Sequence, residues 1–213
     1  MGLAPHDLLE ISDSSDLVIH SPMPDWVKTS LSRAPFVVVR RARAPKNQIA
    51  VGIRGKQRNQ RFAAFLPKNQ FIRKITPEQL TENQLWKQHI RYKKVQAFTC
   101  LNSIDHLLQH YQFLWGPAGS VGFELASGKE TVTPESDIDL IIRTPHRLEK
   151  NLAQFLIHEF QKSEVRIDVQ METPVGAVNL FEYAKTKREP VLVKTQDGPL
   201  LIENPWILNK VDN

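Results

Sequence analysis

The sequence predicts an α+β protein with two parts: a small, basic, β-rich N-terminal domain and a larger domain in which helices cover one side of a mixed sheet. Its 213 residues, 41% of them hydrophobic, are enough for one large domain or two small ones. Runs of β-branched residues dominate the first third, whereas strand and helix patterns alternate later. Charge divides the chain in the same way, because no Asp or Glu occurs from Trp26 to Pro77.

The predicted N-terminal domain, residues 1–75, contains a β-hairpin. Its two strands are "APFVVVRRARA" and "NQIAVGIRG", and the "PKNQ" between them is typical of a turn. We place the domain boundary just after Ile75. The next residues, Thr76, Pro77 and Glu78, combine a cap, a first-turn proline and an early acid, which favours a helix start.

The second domain, residues 76–213, is predicted to begin with two helices and to continue as a sheet. The helices are "TPEQLTENQLWKQHI" and "FTCLNSIDHLLQHYQ", the latter with apolar residues at helical spacing. Then follow a strand "FLWG", a Gly-Ser turn, a strand "SDIDLIIR", a helix "PHRLEKNLAQFLIHEFQK" and a strand "EVRIDVQM". The tail "EPVLVKTQDGPLLIENPW" adds two short extended runs that turn at "DG". This order predicts a mixed sheet with helices on one side.

Two aspartates interrupt the apolar strand at its start. Side chains alternate along a strand, so Asp137 and Asp139 point to one face while Ile138, Leu140 and Ile142 point to the other. Neighbouring carboxylates repel unless a cation lies between them, and their hard oxygens suit Mg²⁺. The pair therefore predicts a metal site.

A third acid, Asp168, lies within the alternating strand "EVRIDVQM". If that strand pairs with the first, three carboxylates converge as metal ligands and catalytic residues. Such a set can orient a polyphosphate, stabilise a leaving pyrophosphate and take the proton of an attacking hydroxyl.

Small residues precede the aspartates. Gly119 and Ser120 are expected in a turn whose N–H groups and hydroxyl bind phosphate oxygens, and Gly116 and Gly122 leave room for a ligand. Arg143 shares the face of the aspartates, where it binds a phosphate or neutralises the two carboxylates.

The acid-free segment carries thirteen Lys and Arg residues, which indicates a surface for phosphates, nucleic acid or an acidic protein. The four tryptophans are scattered along the chain and form no array with these basic residues for base stacking, which makes nucleic acid the less favoured partner. His106 and His110 have the i, i+4 spacing of metal ligands, but no third ligand is recognisable nearby and a structural pair is favoured.

The single cysteine, Cys100, excludes an internal disulfide. The first thirty residues have no long apolar core, and no stretch approaches the roughly 18 apolar residues of a membrane span. We expect a cytoplasmic protein without membrane anchoring.

The ordered set of Gly119-Ser120, Asp137-x-Asp139 and Asp168 resembles the nucleotidyltransferase superfamily that includes DNA polymerase beta. One departure is that sixteen residues separate Ser120 from Asp137, more than is usual there. We expect the extra length to loop out around "SGKETVTPE". The resemblance implies a nucleotidyltransferase-like fold for the second domain.

Across nearly the whole chain, the sequence is similar to the malonate decarboxylase holo-acyl-carrier-protein synthases, the phosphoribosyl-dephospho-CoA transferases. The matching pieces include "HDLL", "IAVGIRGKQRNQRFAAFL", "WGPAGSVGFELASG", "SDIDLIIR" and "PVLVKTQDGPLL". The resemblance implies that a serine of the malonate decarboxylase acyl carrier protein attacks the α-phosphate of triphosphoribosyl-dephospho-CoA and releases pyrophosphate.

On this hypothesis the basic domain contributes to substrate binding. Arg54, Arg58 and Arg61 are expected to bind phosphate. Arg40, Arg41 and Arg43 are expected to attract the acidic carrier. Two alternatives stay open: a nucleotidyltransferase that acts on RNA or a small molecule, and a non-catalytic module that binds an acidic partner.

Overall fold

The computed structural model describes residues 2–57, 59–82, 84–186 and 190–207, and it confirms the α+β class. Two sheets divide the chain. The first is antiparallel, in the order β4-β3-β2-β1-β5. Its strands are β1 (Leu8–Glu10), β2 (Phe36–Val39), β3 (Gln48–Arg54), β4 (Arg61–Pro67) and β5 (Arg73–Ile75), with helix α1 (Asp25–Arg33) and a 3-10 helix (Ser14–Asp16).

The predicted hairpin is confirmed as β2 paired with β3. The longest pairing of this sheet, however, joins β3 to β4, from Gln48 opposite Pro67 to Arg54 opposite Arg61. Val27 and Leu31 of α1 pack into the core of this sheet. β5 ends at Ile75, and the division between residues 75 and 76 stays a prediction.

The segment after β5 differs from the single helix predicted for "TPEQLTENQLWKQHI". It forms two short helices, α2 (Gln79–Glu82) and α3 (Leu85–Gln88). Gln84 between them has φ 47°, a left-handed conformation that a continuing right-handed helix excludes. Thr76 does act as a cap, since its hydroxyl accepts the N–H of Gln79 at 3.3 Å. The next helix, α4 (Gln96–His110), confirms the second prediction.

The second sheet has the order β11-β10-β9-β8-β7-β6. Its strands are β6 (Leu114–Pro117), β7 (Ile138–Arg143), β8 (Ile167–Glu172), β9 (Ala177–Asn179), β10 (Val191–Thr195) and β11 (Gly198–Ile202). β7 and β8 are parallel and the other pairs are antiparallel, so the sheet is mixed as predicted.

Three further helices complete this part: α5 (Gly119–Ser127), α6 (Lys150–Phe160) and α7 (Leu180–Lys185). A parallel pair needs a crossover connection, and α6 supplies it between β7 and β8. α6 starts five residues after the predicted "PHRLEKNLAQFLIHEFQK" begins. The apolar sides of α4 and α6 form one core with Ile138, Leu140 and Ile142 of β7. That core leaves the opposite face of β7 and β8 for polar residues.

Charged contacts join the two sheets. Arg41, which follows β2, binds Glu172 at the end of β8, and the side chain of Glu172 is only 8% exposed. Nearby, His6 and Gln170 are hydrogen-bonded at 2.8 Å. Arg43 pairs with Asp197 on the surface. In the described part of the chain, no helix is long and apolar enough to span a bilayer.

Candidate active site

The parallel pairing of β7 with β8 places Asp139 directly opposite Asp168. Alternation holds on both strands: Ile138 and Leu140 are fully buried, while Asp139 and Asp168 are half-buried on the other face. Asp137 immediately precedes β7 and is also half-buried. The structure therefore gathers the three predicted carboxylates at one end of the parallel pair.

Electrostatics confirm that these groups face one another. The pKa of Asp139 is raised to about 6, first by burial and then by the neighbouring charges of Asp137 and Asp168, while Arg54 and Arg61 act in the opposite direction. Burial and the two neighbouring carboxylates therefore outweigh the two arginines and disfavour the ionised form of Asp139. The site thus favours a ligand that brings positive charge.

The carboxylates are close without forming a finished metal site. Within the described residues, no three His, Cys, Asp or Glu side chains are gathered tightly enough to hold an ion. One oxygen of Asp168 accepts a hydrogen bond from Asn179 Nδ2 at 2.8 Å, which leaves its other oxygen for a ligand. The donors are nonetheless hard oxygens of the kind Mg²⁺ prefers, so the residue types fit this ion.

Gly119 and Ser120 begin helix α5, so the predicted Gly-Ser turn is the first turn of a nine-residue helix. Gly119 has φ 56°, and a Cβ added there would lie 1.9 Å from Asp139 Oδ2. Only glycine fits this position, because the carboxylate occupies the space of a side chain. The first N–H groups of a helix lack internal acceptors, and no side chain caps α5. These donors therefore lie beside Asp139.

Gly116 and Gly122 have a different role from the predicted one. A Cβ on Gly116 would meet the carbonyl of Pro77 at 2.0 Å, and one on Gly122 would meet the carbonyl of Pro117 at 2.5 Å. Both glycines allow close packing within the chain. The expectation that they make room for a ligand was wrong.

The predicted arginines fall into two groups. Arg54 and Arg61 are exposed and lie opposite each other at the ends of β3 and β4; their side chains form no hydrogen bond or ion pair with a described residue, although their charges act on Asp139. By contrast, Arg41 and Arg43 are engaged by Glu172 and Asp197. Arg58 lies outside the described residues.

Arg143 is the last residue of β7, and its Nε donates to Glu78 at 2.6 Å. This bond holds the pKa of Glu78 below its usual value although burial acts to raise it. The structure gives Arg143 a carboxylate partner other than Asp137 and Asp139. Its contact with substrate phosphate stays a prediction.

Sequence reasoning missed two supporting residues. Asn179 was not singled out, although it hydrogen-bonds Asp168 and also caps α7. Glu124, inside α5, is completely buried and binds the segment that leads to Asp137. The only signal for Glu124 was an acid in an otherwise apolar helical stretch.

Comparison with known proteins identifies the family. The family model for the N-terminal domain of the phosphoribosyl-dephospho-CoA transferase MdcG matches residues 4–77, and the model for its C-terminal domain matches residues 84–205. The chain belongs to the phosphoribosyl-dephospho-CoA transferase family. The whole-chain similarity to the phosphoribosyl-dephospho-CoA transferases is thereby confirmed.

Curated relatives agree over nearly their whole length. A phosphoribosyl-dephospho-CoA transferase of Pseudomonas aeruginosa is 36% identical over 99% of this chain and 97% of the relative. One from Pseudomonas syringae pv. tomato is 38% identical over 97% of this chain and 95% of the relative. One from Azotobacter vinelandii is 36% identical over 95% of this chain and 93% of the relative. No solved structure matches the chain.

Proposed function

We propose that this chain transfers the phosphoribosyl-dephospho-CoA group from triphosphoribosyl-dephospho-CoA to a serine of the malonate decarboxylase acyl carrier protein, with release of pyrophosphate. The observation that carries the proposal is the facing pair of Asp139 and Asp168, with Asp137 beside them, in a member of this transferase family. Such a carboxylate pair suits a nucleotidyltransferase-type reaction that uses Mg²⁺.

In this proposal Asp137, Asp139 and Asp168 hold Mg²⁺. When bound there, the ion would balance the three carboxylates and polarise the α-phosphate. The serine Oγ forms a bond to the α-phosphorus while the bond from that phosphorus to the β-phosphate oxygen breaks. Pyrophosphate leaves, and a site carboxylate accepts the serine proton.

Phosphate binding is assigned to the residues that surround the carboxylates. The side chains of Arg54 and Arg61 form no hydrogen bond or ion pair with a described residue, so both are available for the β- and γ-phosphates. The N–H groups of Gly119 and Ser120, at the start of α5, can donate to phosphate oxygens. Arg58 and Arg143 are assigned to the same substrate. Arg41 is bonded to Glu172, which removes it from the residues available to attract the carrier.

We also place the protein in the cytoplasm, because its only cysteine, Cys100, is unpaired. The proposed partners, an acidic carrier protein and a triphosphate, match the basic character of the N-terminal sheet.

The deciding experiment is intact-mass spectrometry of the apo carrier subunit after incubation with the protein, Mg²⁺ and triphosphoribosyl-dephospho-CoA. The expected mass gain equals the precursor minus pyrophosphate, and it is lost in an Asp139→Asn variant or after chelation of Mg²⁺. An unmodified carrier in the presence of well-folded protein would exclude this acceptor. Incubation with nucleoside triphosphates and RNA would then test the alternative nucleotidyltransferase reaction.

A further inference from the structure

The segment from Gly128 to Asp137, which links helix α5 to strand β7, is attached to the domain by one buried carboxylate. Glu124 is 0% exposed and lies one turn before the end of α5. Its Oε2 accepts the backbone N–H of Thr131 at 2.7 Å and that of Val132 at 2.8 Å. The segment is therefore held near its middle.

Arg91 completes the attachment. Its Nη1 donates to both oxygens of Glu124, at 2.8 and 3.0 Å, and its Nη2 donates to the carbonyl of Val132 at 3.0 Å. A buried carboxylate is destabilising unless it is paired and fully hydrogen-bonded. Here two backbone donors and one guanidinium satisfy it. The Glu124–Arg91 clamp thus binds both the N–H and the carbonyl of Val132.

Two further hydrogen bonds fix parts of this segment that lie closer to the aspartates. Thr131 Oγ1 donates to the carbonyl of Ser120 at 2.9 Å, next to the start of α5. Ser136 Oγ accepts the N–H of Thr133 at 3.0 Å, which fixes the turn just before Asp137. The helix whose first residue touches Asp139 and the segment that delivers Asp137 are consequently attached to each other.

The clamp also explains the sixteen residues between Ser120 and Asp137. Seven of them continue α5 to Ser127, and the clamp returns the remainder to β7 along a defined path. Asp137 lies just outside β7, which begins at Ile138, so an unattached linker would leave the backbone before Ile138, and with it the orientation of the Asp137 carboxylate, less restricted.

We propose that Glu124 and Arg91 are positioning residues that hold Asp137 beside Asp139, so that both carboxylates bind the same metal ion. The inference rests on the proposed metal role of these aspartates. Groups behind metal ligands commonly change metal affinity by about 10- to 100-fold when they are lost. We expect the same range for the clamp.

The test compares Glu124→Gln and the milder Arg91→Lys with Asp105→Asn. Asp105 is a matched control because it is a buried carboxylate held by Gln84 and Gln109, at 2.7 and 2.8 Å, on helix α4. Hydrogen exchange of residues 128–137 reports the order of the segment. Mn²⁺ affinity, measured by electron paramagnetic resonance with inorganic triphosphate present, reports the metal site.

Both clamp variants are expected to exchange faster in residues 128–137 and to bind Mn²⁺ about 10-fold or more weakly, and Asp105→Asn is expected to do neither. In an Asp137→Asn background, Glu124→Gln should weaken Mn²⁺ binding no further, because it acts through Asp137. Unchanged exchange, unchanged affinity in both clamp variants, or an equal loss in the control would overturn the inference.

A wild-type protein that binds no Mn²⁺ would overturn the metal role and, with it, the positioning role. The exchange data would still show whether the clamp orders the segment. The two failures are therefore distinguishable.

Discussion

Two neighbouring regions of this molecule differ in how their charged side chains are paired. Where the two sheets meet, Arg41 binds Glu172, and beside them Arg143 binds Glu78. At the end of β7 and β8, Asp139 and Asp168 face each other, and Arg54 and Arg61 have no described partner. In the first region each carboxylate is balanced by an arginine of the same chain. The unpaired charges of the second indicate a place where a charged ligand completes the structure.

Breaking a paired charge should have the largest effect on stability. Arg41→Met leaves Glu172 buried without its cation, so we expect a loss of about 3 kcal/mol in the free energy of unfolding. Urea unfolding measures this. Arg43→Met is the control, because Arg43 is 79% exposed in its pair with Asp197 and its loss should leave the midpoint unchanged. An equal loss of stability in the two variants would show that the buried Arg41–Glu172 pair contributes no more to stability than the exposed Arg43–Asp197 pair.

Removing an unpaired cation should weaken substrate binding rather than the fold. Arg54→Gln or Arg61→Gln is expected to raise the KM for triphosphoribosyl-dephospho-CoA about 10-fold or more, because each substitution removes the proposed bond between an arginine and a substrate phosphate. Unfolding should change little because neither side chain has a described partner. Lys68→Gln provides the control from the same basic segment, as Lys68 is exposed at the far end of β4. A KM that responds equally to all three would indicate general charge attraction.

Removing an unpaired anion should stabilise the metal-free protein. The raised pKa of Asp139 means that the fold prefers its protonated form, so its ionisation destabilises the fold as pH rises from about 4 to about 6. Asp139→Asn should therefore be more stable than wild type by about 1–2 kcal/mol above pH 6 and similar to it near pH 4. Thermal unfolding in chelator at both pH values tests this. A variant less stable at pH 7 would contradict the assignment.

The smallest effect is expected at the interface histidine. The pKa of His6 is lowered to about 4, chiefly by burial; the charge of Glu172 acts to raise it, and those of Arg41 and Arg143 act to lower it. The unfolded chain then binds the proton more readily, so stability should fall as pH drops from about 6.5 to about 4. We expect about 1 kcal/mol at most, because the His6 side chain is 32% exposed. His6→Gln should remove this part of the pH dependence, and an unchanged profile would assign it elsewhere.

The sequence was most informative where a local pattern determines geometry. Alternation along β7 and β8 predicted which face carries Asp139 and Asp168, and one crossover helix was enough to make these strands parallel neighbours. The Gly-Ser motif was found, but its conformation was not. Gly119 and Ser120 suit a turn locally, whereas the core contacts of Val121 support a helix from the same point.

Contacts between distant segments were beyond sequence reasoning. Nothing local to Arg41 distinguishes it from Arg54, yet the side chain of Arg41 binds Glu172 whereas that of Arg54 forms no ion pair with a described residue. Glu124 was overlooked for a similar reason, since its partners lie at Arg91 and Val132, on both sides of it in the chain. Such roles depend on how helices and sheets pack, which a single sequence does not specify.

In the candidate site, Arg54 and Arg61 belong to the first sheet, whereas Asp139 and Asp168 belong to the second. The two sets of charges are therefore made at different times during synthesis. The ribosome delivers β3 and β4 well before β7 and β8, and domains commonly fold in that order. A nascent or truncated chain would thus display Arg54 and Arg61, which we propose to bind phosphate, before Asp137, Asp139 and Asp168 have been made. Under the proposed function, a partly made chain that ends before β7 would bind polyanions without the carboxylates needed to transform them.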